Sequence, residues 1–225
     1  INLNSFTSGC AREMRHALLQ LMSQGAKALV LDIRDNVGGA INEAVDITNL
    51  FLPKGVKVVY TKGKQASMNH EYSTTTDPIA PDMPLVVLVN GMSASSSEIV
   101  SGALQDMDRA VIMGTRTFGK GLVQRQIPLG DGSAMRLTVA RYHTPSGRVI
   151  QRPYENGHKD EYYKAHIARL SGQESDSTQS ALPQYLTLRS RRTVHGGGGI
   201  QPDVRIKDDT TRVSNYIARM VAQGV

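Results

Sequence analysis

The sequence predicts an α/β fold with a β-rich C-terminal part, on three observations. Between Ala28 and Met113, short apolar runs of the kind found in buried strands alternate with segments of helical period. After Leu122 the pattern becomes that of a hairpin around Gly130-Asp131-Gly132. Three turns rich in glycine or small polar residues each follow directly on an apolar strand.

Ile1, Leu3 and Phe6 face one way in what reads as an opening strand, so a segment upstream of Ile1 is expected. Ala11, Met14, Leu18, Leu21 and Met22 have helical spacing, with Gly25 as the stop. Ala28 to Ile33 reads as a strand, followed by the Gly38-Gly39 pair and a helix through Ile41, Ala44, Val45, Thr48 and Phe51. Val56 to Thr61 and Leu85 to Val89 supply further strands. A Ser-rich stretch opens a third helix (Ile99, Val100, Ala103, Leu104, Met107), and Ala110 to Met113 returns as a strand. Asp106 and Arg109 are expected to pair at the end of that helix.

Leu122 to Pro128 and Ala134 to Tyr142 form the predicted hairpin. Residues 152–190 are polar, with a low-hydrophobicity run from Gly172 to Ser180. They are expected to form an exposed excursion, partly helical from Glu161 to Leu170. The chain returns through the four glycines Gly196 to Gly199 and ends in a helix from about Thr211.

A chain of 225 residues, 40% hydrophobic and 20% charged, suffices for a self-supporting core. No run approaches the roughly 18 consecutive apolar residues of a membrane span, so no integral membrane segment is expected. The single cysteine, Cys10, excludes an internal disulfide. The net charge of +6 is scattered, with one cluster at Arg189, Arg191 and Arg192 and little aromatic interleaving, so nucleic-acid binding is not expected.

The chemistry concentrates in Asp32 to Gly39, Asn90 to Ile99 and Thr117 to Gln124. Small polar residues where a buried strand becomes a helix expose a hydroxyl beside free N–H groups, which suits a nucleophile with an oxyanion site. Taken alone, Ser93 to Ser97 reads first as a helix cap, and Glu98 as a first-turn helix charge outside the site. No histidine lies near these turns, so a histidine base would have to come from His143 or His195. Lys120 is better placed, and Phe118 and Leu122 beside it suggest surroundings poor in water, where a lysine loses its proton more readily. Gly114 to Lys120 matches the start of a phosphate loop, but Gly121 replaces the required Ser or Thr and a strand pattern comes next instead of a helix. Gly91-Met-Ser93-Ala-Ser95 lacks the last glycine of a nucleophile elbow.

In order and spacing these segments resemble the carboxyl-terminal processing, or tail-specific, proteases, the Ser/Lys peptidases of family S41. Asn49 to Pro53, Tyr142 to Gly147 and Gly199-Ile200-Gln201-Pro202-Asp203 add to the resemblance, which covers roughly residues 1–151 and 196–206. It implies a Clp protease/crotonase-like core of ββα units, with residues 152–190 as an insertion between core segments 1–151 and 191–225. It implies Ser95 as nucleophile, Lys120 as general base and Gln124 as the residue that positions the lysine. The same resemblance implies oxyanion donors from the backbone of Gly38, Gly39 and Ser96.

The function implied by the resemblance is that of a serine endopeptidase acting near protein C-termini through an acyl-enzyme, with no cofactor and no metal. Its partners would be peptides bound as an extended strand, its location periplasmic or extracytoplasmic, and a homo-oligomer is left open. Family members commonly carry a PDZ domain before the core, which is not expected within residues 1–225, and run almost directly from the Thr-Pro-Ser-Gly segment to Gly-Ile-x-Pro-Asp. The insertion is expected either over the active site or at a subunit contact. Two other readings stay open: a crotonase-like thioester acyl hydrolase or transferase, which would not need Ser95 with Lys120, and a non-catalytic peptide-binding scaffold.

Overall fold

The computed structural model describes residues 1–153, 162, 164 and 182–206. In chain order the elements are α1 (Cys10–Ser23), β1 (Leu29–Asp32), α2 (Ile41–Asn49), β2 (Lys57–Gly63), β3 (Glu71–Ser73), β4 (Leu85–Val89) and α3 (Ser96–Asp106). There follow β5 (Val111–Gly114), β6 (Leu122–Pro128), β7 (Ala134–His143), β8 (Gln184–Leu186), β9 (Thr193–His195) and β10 (Val204–Arg205).

Apart from β8 and β9, which form a separate antiparallel pair, two four-stranded sheets organise most of these elements, in keeping with the α/β expectation. One is parallel, in the order β1-β4-β5-β10, and the other antiparallel, in the order β3-β2-β7-β6. In the parallel sheet Leu31 pairs with Val87, and Val87 with Ile112, and all three are fully buried. The core extends from them to Phe6, Leu18, Ile33, Ile47, Phe51, Leu52, Ile99 and Leu104. Parallel strands place their carboxyl ends at one edge of a sheet, the usual position of a site in such folds. Here that edge carries the turns after β1, β4 and β5, which are the three motif-bearing segments.

The spacing that predicts α1 is realised, with Cys10, Ala11, Met14 and Leu18 buried. Its N-terminal cap comes from far along the chain. Gly9 N–H donates to Glu43 Oε1 (2.7 Å) and Ala11 N–H to Glu43 Oε2 (2.9 Å), so α2 supplies an anion to the positive end of α1. Burial together with this carboxylate pushes the Cys10 thiol up to about 11, which makes it inert.

The opening strand expected from Ile1 to Phe6 reduces to two parallel bridges, Asn2 with Asp32 and Phe6 with Gly39. The short edge strand β3 had no sequence signal, because its three residues carry no apolar alternation. The hairpin of β6 and β7 is present and largely exposed, with a bulge between Val123 and Gln124. Tyr162 and Lys164 are helical, whereas the rest of the expected 161–170 helix and the final helix from Thr211 lie outside the described residues.

Asp106 does not pair with Arg109. It is fully buried on the inner side of α3, where it forms an ion pair with buried Arg148 and accepts the Ser146 N–H (2.9 Å). Arg109 lies beyond the helix end and donates to the carbonyls of Phe51, Ala80 and Met83. Arg148 also reaches the His195 carbonyl (3.2 Å), so the pair joins α3, the 144–148 turn and the returning segment.

Asp108 ties that segment a second time, accepting from Ser190 N–H (2.8 Å), Ser190 Oγ (2.6 Å) and Arg192 Nε (2.9 Å). Burial pushes its carboxyl up, but these hydrogen bonds together outweigh burial and hold it at about 2, below the ordinary 3.8. The folded value is the lower one, so the associated stability is present above about pH 3.8 and is lost as pH falls through about 2. In Asp108→Asn, the dependence of the unfolding midpoint on pH across that window is expected to flatten. Arg148→Met leaves Asp106 buried without its counter-charge and is expected to cost about 3 to 5 kcal/mol in denaturant unfolding.

Candidate active site

Each of the three turns contributes a different part. After β4 the chain turns sharply at Ser95, whose φ of 56° and ψ of −112° lie in a region that side-chain-bearing residues seldom occupy. The neighbouring serines are buried and committed elsewhere. Ser93 Oγ donates to the Ile33 carbonyl (2.7 Å), Ser97 Oγ to the Asn36 carbonyl (2.8 Å) and Ser96 Oγ to the Gly39 carbonyl (2.9 Å). Ser95 alone among residues 93 and 95–97 is half-buried, so its hydroxyl is the accessible one.

Gly38 packs directly beneath this turn. A Cβ on it would stand 2.6 Å from the Ala94 carbonyl oxygen and 2.8 Å from Ser95 Cβ, and its φ of +99° disfavours any side chain. Its N–H donates to Asn36 Oδ1 (2.9 Å) and is therefore engaged within its own turn. Asn36 is held in place by donating its side-chain amide to the Leu3 carbonyl (2.6 Å).

The third turn leaves β5 and carries Thr117, Phe118, Gly119, Lys120 and Gly121. Phe118 N–H donates to the Ser93 carbonyl (2.9 Å), which fastens the second and third turns at their bases. The surroundings expected for Lys120 are not found, since its side chain is exposed. The reason lies in its neighbours: Gly119 is packed against Gly198 and Arg152, and Phe118 turns under the Arg152 guanidinium, 5.1 Å from its ring centre. Gln124 stands just past the β6 bulge, opposite Thr138, with an exposed side chain.

Glu98 was not expected in the site and proves to be its hub. Fully buried on the first turn of α3, its Oε2 accepts the N–H groups of both Ser95 (2.9 Å) and Lys120 (2.8 Å). Its Oε1 accepts Thr117 Oγ1 (2.6 Å) and the Gly119 N–H (2.7 Å). The main-chain nitrogens of Ser95 and Lys120 therefore flank a single oxygen atom. Burial pushes the Glu98 carboxyl above the usual range, against the pull of its four hydrogen bonds. The readable signal was the Ser95-x-x-Glu98 capping box.

The two histidines serve elsewhere. His143 stacks on Tyr60 with ring centres 4.9 Å apart, and its burial lowers its affinity for a proton, while His195 lies in β9 beside Arg148. Among the described residues no cluster of three or more His, Cys, Asp or Glu could hold a metal ion, and no helix is long and apolar enough to cross a membrane.

Comparison with known proteins shows what the chain as a whole is similar to. Residues 1–161 match the model of peptidase family S41. The chain is 45% identical over 152 residues to a carboxyl-terminal-processing protease of Synechocystis sp., covering 68% of this chain and 35% of that protein. It is 43% identical over 155 residues to a carboxy-terminal-processing protease of Bartonella bacilliformis, covering 67% and 36%. Among solved structures, the photosystem II D1 C-terminal processing protease superposes with a TM-score of 0.66 at 31% identity, over 92% of this chain and 41% of that one. The chain thus spans about a third of the length of these curated relatives.

Glu98→Gln keeps the size but puts an amide nitrogen where donors converge. It is expected to cost about 1 to 3 kcal/mol in unfolding and to speed amide exchange at Ser95, Gly119 and Lys120 together. Faster exchange in only one of the two turns would contradict the shared role.

Proposed function

The chain belongs to peptidase family S41, and from that premise we propose that it is a serine endopeptidase with Ser95 as nucleophile and Lys120 as general base. The observation that carries this reading is the single Glu98 oxygen bonded to the amides of both residues. The accessibility of Ser95 among its buried serine neighbours supports it further.

In this reading the Ser95 Oγ attacks the scissile carbonyl carbon while neutral Lys120 Nζ takes the hydroxyl proton. The tetrahedral oxyanion is stabilised by main-chain N–H groups at the head of α3 and in the glycine turn. Ser96 and Gly39 suit this role, whereas the Gly38 N–H must first leave Asn36 Oδ1. The C–N bond then breaks, Lys120 returns the proton to the departing amine, and water hydrolyses the Ser95 ester with Lys120 again as base. Because Lys120 is exposed in the free protein, bound substrate has the task of excluding water around it.

An extended peptide has a place to pair. Among the described residues β6 is an edge strand of the antiparallel sheet and begins two residues after Lys120, so strand addition there would bring a substrate backbone past the dyad. Gln124, on the same strand, is assigned to hold Lys120 in position. Proteins cut near their C-terminal tails are the proposed substrates, after the relatives named above. A periplasmic or extracytoplasmic location rests on the family resemblance alone.

Digestion of an unstructured protein such as casein tests the reading. Ser95→Ala and Lys120→Ala are each expected to lose about a thousandfold or more in rate, and Gln124→Ala about tenfold. Undiminished cleavage by Ser95→Ala would overturn the nucleophile, and hydrolysis of thioesters by that variant would favour crotonase-like chemistry instead.

A further inference from the structure

Arg152 opens the polar excursion and is 7% exposed. Among the described residues, none of its three guanidinium nitrogens has a hydrogen-bond partner and no carboxylate pairs with it. A buried cation left this way is costly unless something else compensates it. Two aromatic faces do so: the guanidinium carbon lies 5.1 Å from the Phe118 ring centre and 4.0 Å from that of Tyr162.

The same residue grips the turn that carries Lys120. Arg152 N–H donates to the Gly119 carbonyl (3.0 Å), and its Cγ stands 2.9 Å from where a Cβ on Gly119 would be. Gln151 Oε1 accepts the Gly121 N–H (2.9 Å), and Gln151 Nε2 donates to the Arg152 carbonyl (2.9 Å) and lies 3.4 Å from the Tyr162 hydroxyl. Residues 118, 119 and 121 are thus all held by residues 151 and 152, with Lys120 between them.

We propose that the Phe118–Arg152–Tyr162 stack is a positioning device for Lys120, through which residue 162 of the excursion controls the reactivity of the active site. It rests on the reading of Lys120 as the base. Removing either ring exposes the guanidinium to a drive toward water. Because the Arg152 stem forms the floor under Gly119, its departure loosens the turn without touching substrate.

Steady-state cleavage of an unstructured peptide, with thermal unfolding followed in parallel, tests this on the full chain. Arg152→Met and Tyr162→Leu are expected to lower kcat about tenfold with KM changed less than about twofold. Tyr162→Phe keeps the ring and should retain kcat to within about twofold. Amide exchange at Gly119 and Gly121 should quicken in the first two variants and not in the third.

Wild-type kcat in both Arg152→Met and Tyr162→Leu overturns the proposal, as does a lowered melting temperature with kcat unchanged below it. Loss of kcat in Tyr162→Phe equal to that in Tyr162→Leu also overturns it, since the ring would then not be what matters. If Arg152→Met does not fold, Tyr162→Leu decides. Lys120→Ala run alongside separates the two layers. Full activity there removes the base assignment itself, whereas an inactive Lys120→Ala beside a fully active Arg152→Met removes only the positioning role.

Discussion

The buried carboxylate of Glu98 is the constraint on which the site depends. A side chain with no exposure to solvent accepts four N–H or O–H donors from two turns that are separate in sequence. Removing that acceptor would therefore cost more than one hydrogen bond. It would leave several donors unsatisfied at once, and those donors belong to the backbone that aims Ser95 and Lys120.

Around that hub the fold supplies rigidity from several directions. The parallel sheet delivers three turns to one edge, and the buried serines at 93, 96 and 97 sew the second turn to the first through the carbonyls of residues 33, 36 and 39. The strained backbone at Ser95 is held by these contacts, since a conformation of this kind persists only where its surroundings over-determine it. Asp106 with Arg148, and Asp108 with Ser190 and Arg192, then fix the returning segment to the C-terminal end of the same helix.

The alternation of strands and helices was legible because buried parallel strands read as continuous apolar runs and the helices as 3.6-residue stripes, as at Leu85 to Val89 and at Ala11, Met14 and Leu18. The three chemical turns could be located for the same reason, each coming directly after such a run. Long-range choices were not legible. Asp106 had a basic residue three positions away and chose one 42 away, because burial on the inner side of α3 faced it toward the 148 turn. Glu98 looked like an ordinary first-turn acid because the donors that make its burial tolerable sit around residue 120. Which serine keeps an accessible hydroxyl depends on carbonyls some sixty residues upstream, and sequence alone reached Ser95 only through resemblance.

The Thr117 hydroxyl donates to Glu98 and at the same time accepts the Ile200 N–H at 2.7 Å, while Thr117 N–H donates to the Ile200 carbonyl at 3.1 Å. Synthesis runs from the N-terminus, so the segments bearing residues 95 and 120 leave the ribosome well before residue 200 does. Until then Thr117 lacks its last anchors and the Glu98 hub is incomplete. A nascent chain therefore carries the side chains of residues 95, 98 and 120 for some time before the contacts that fix their arrangement can form.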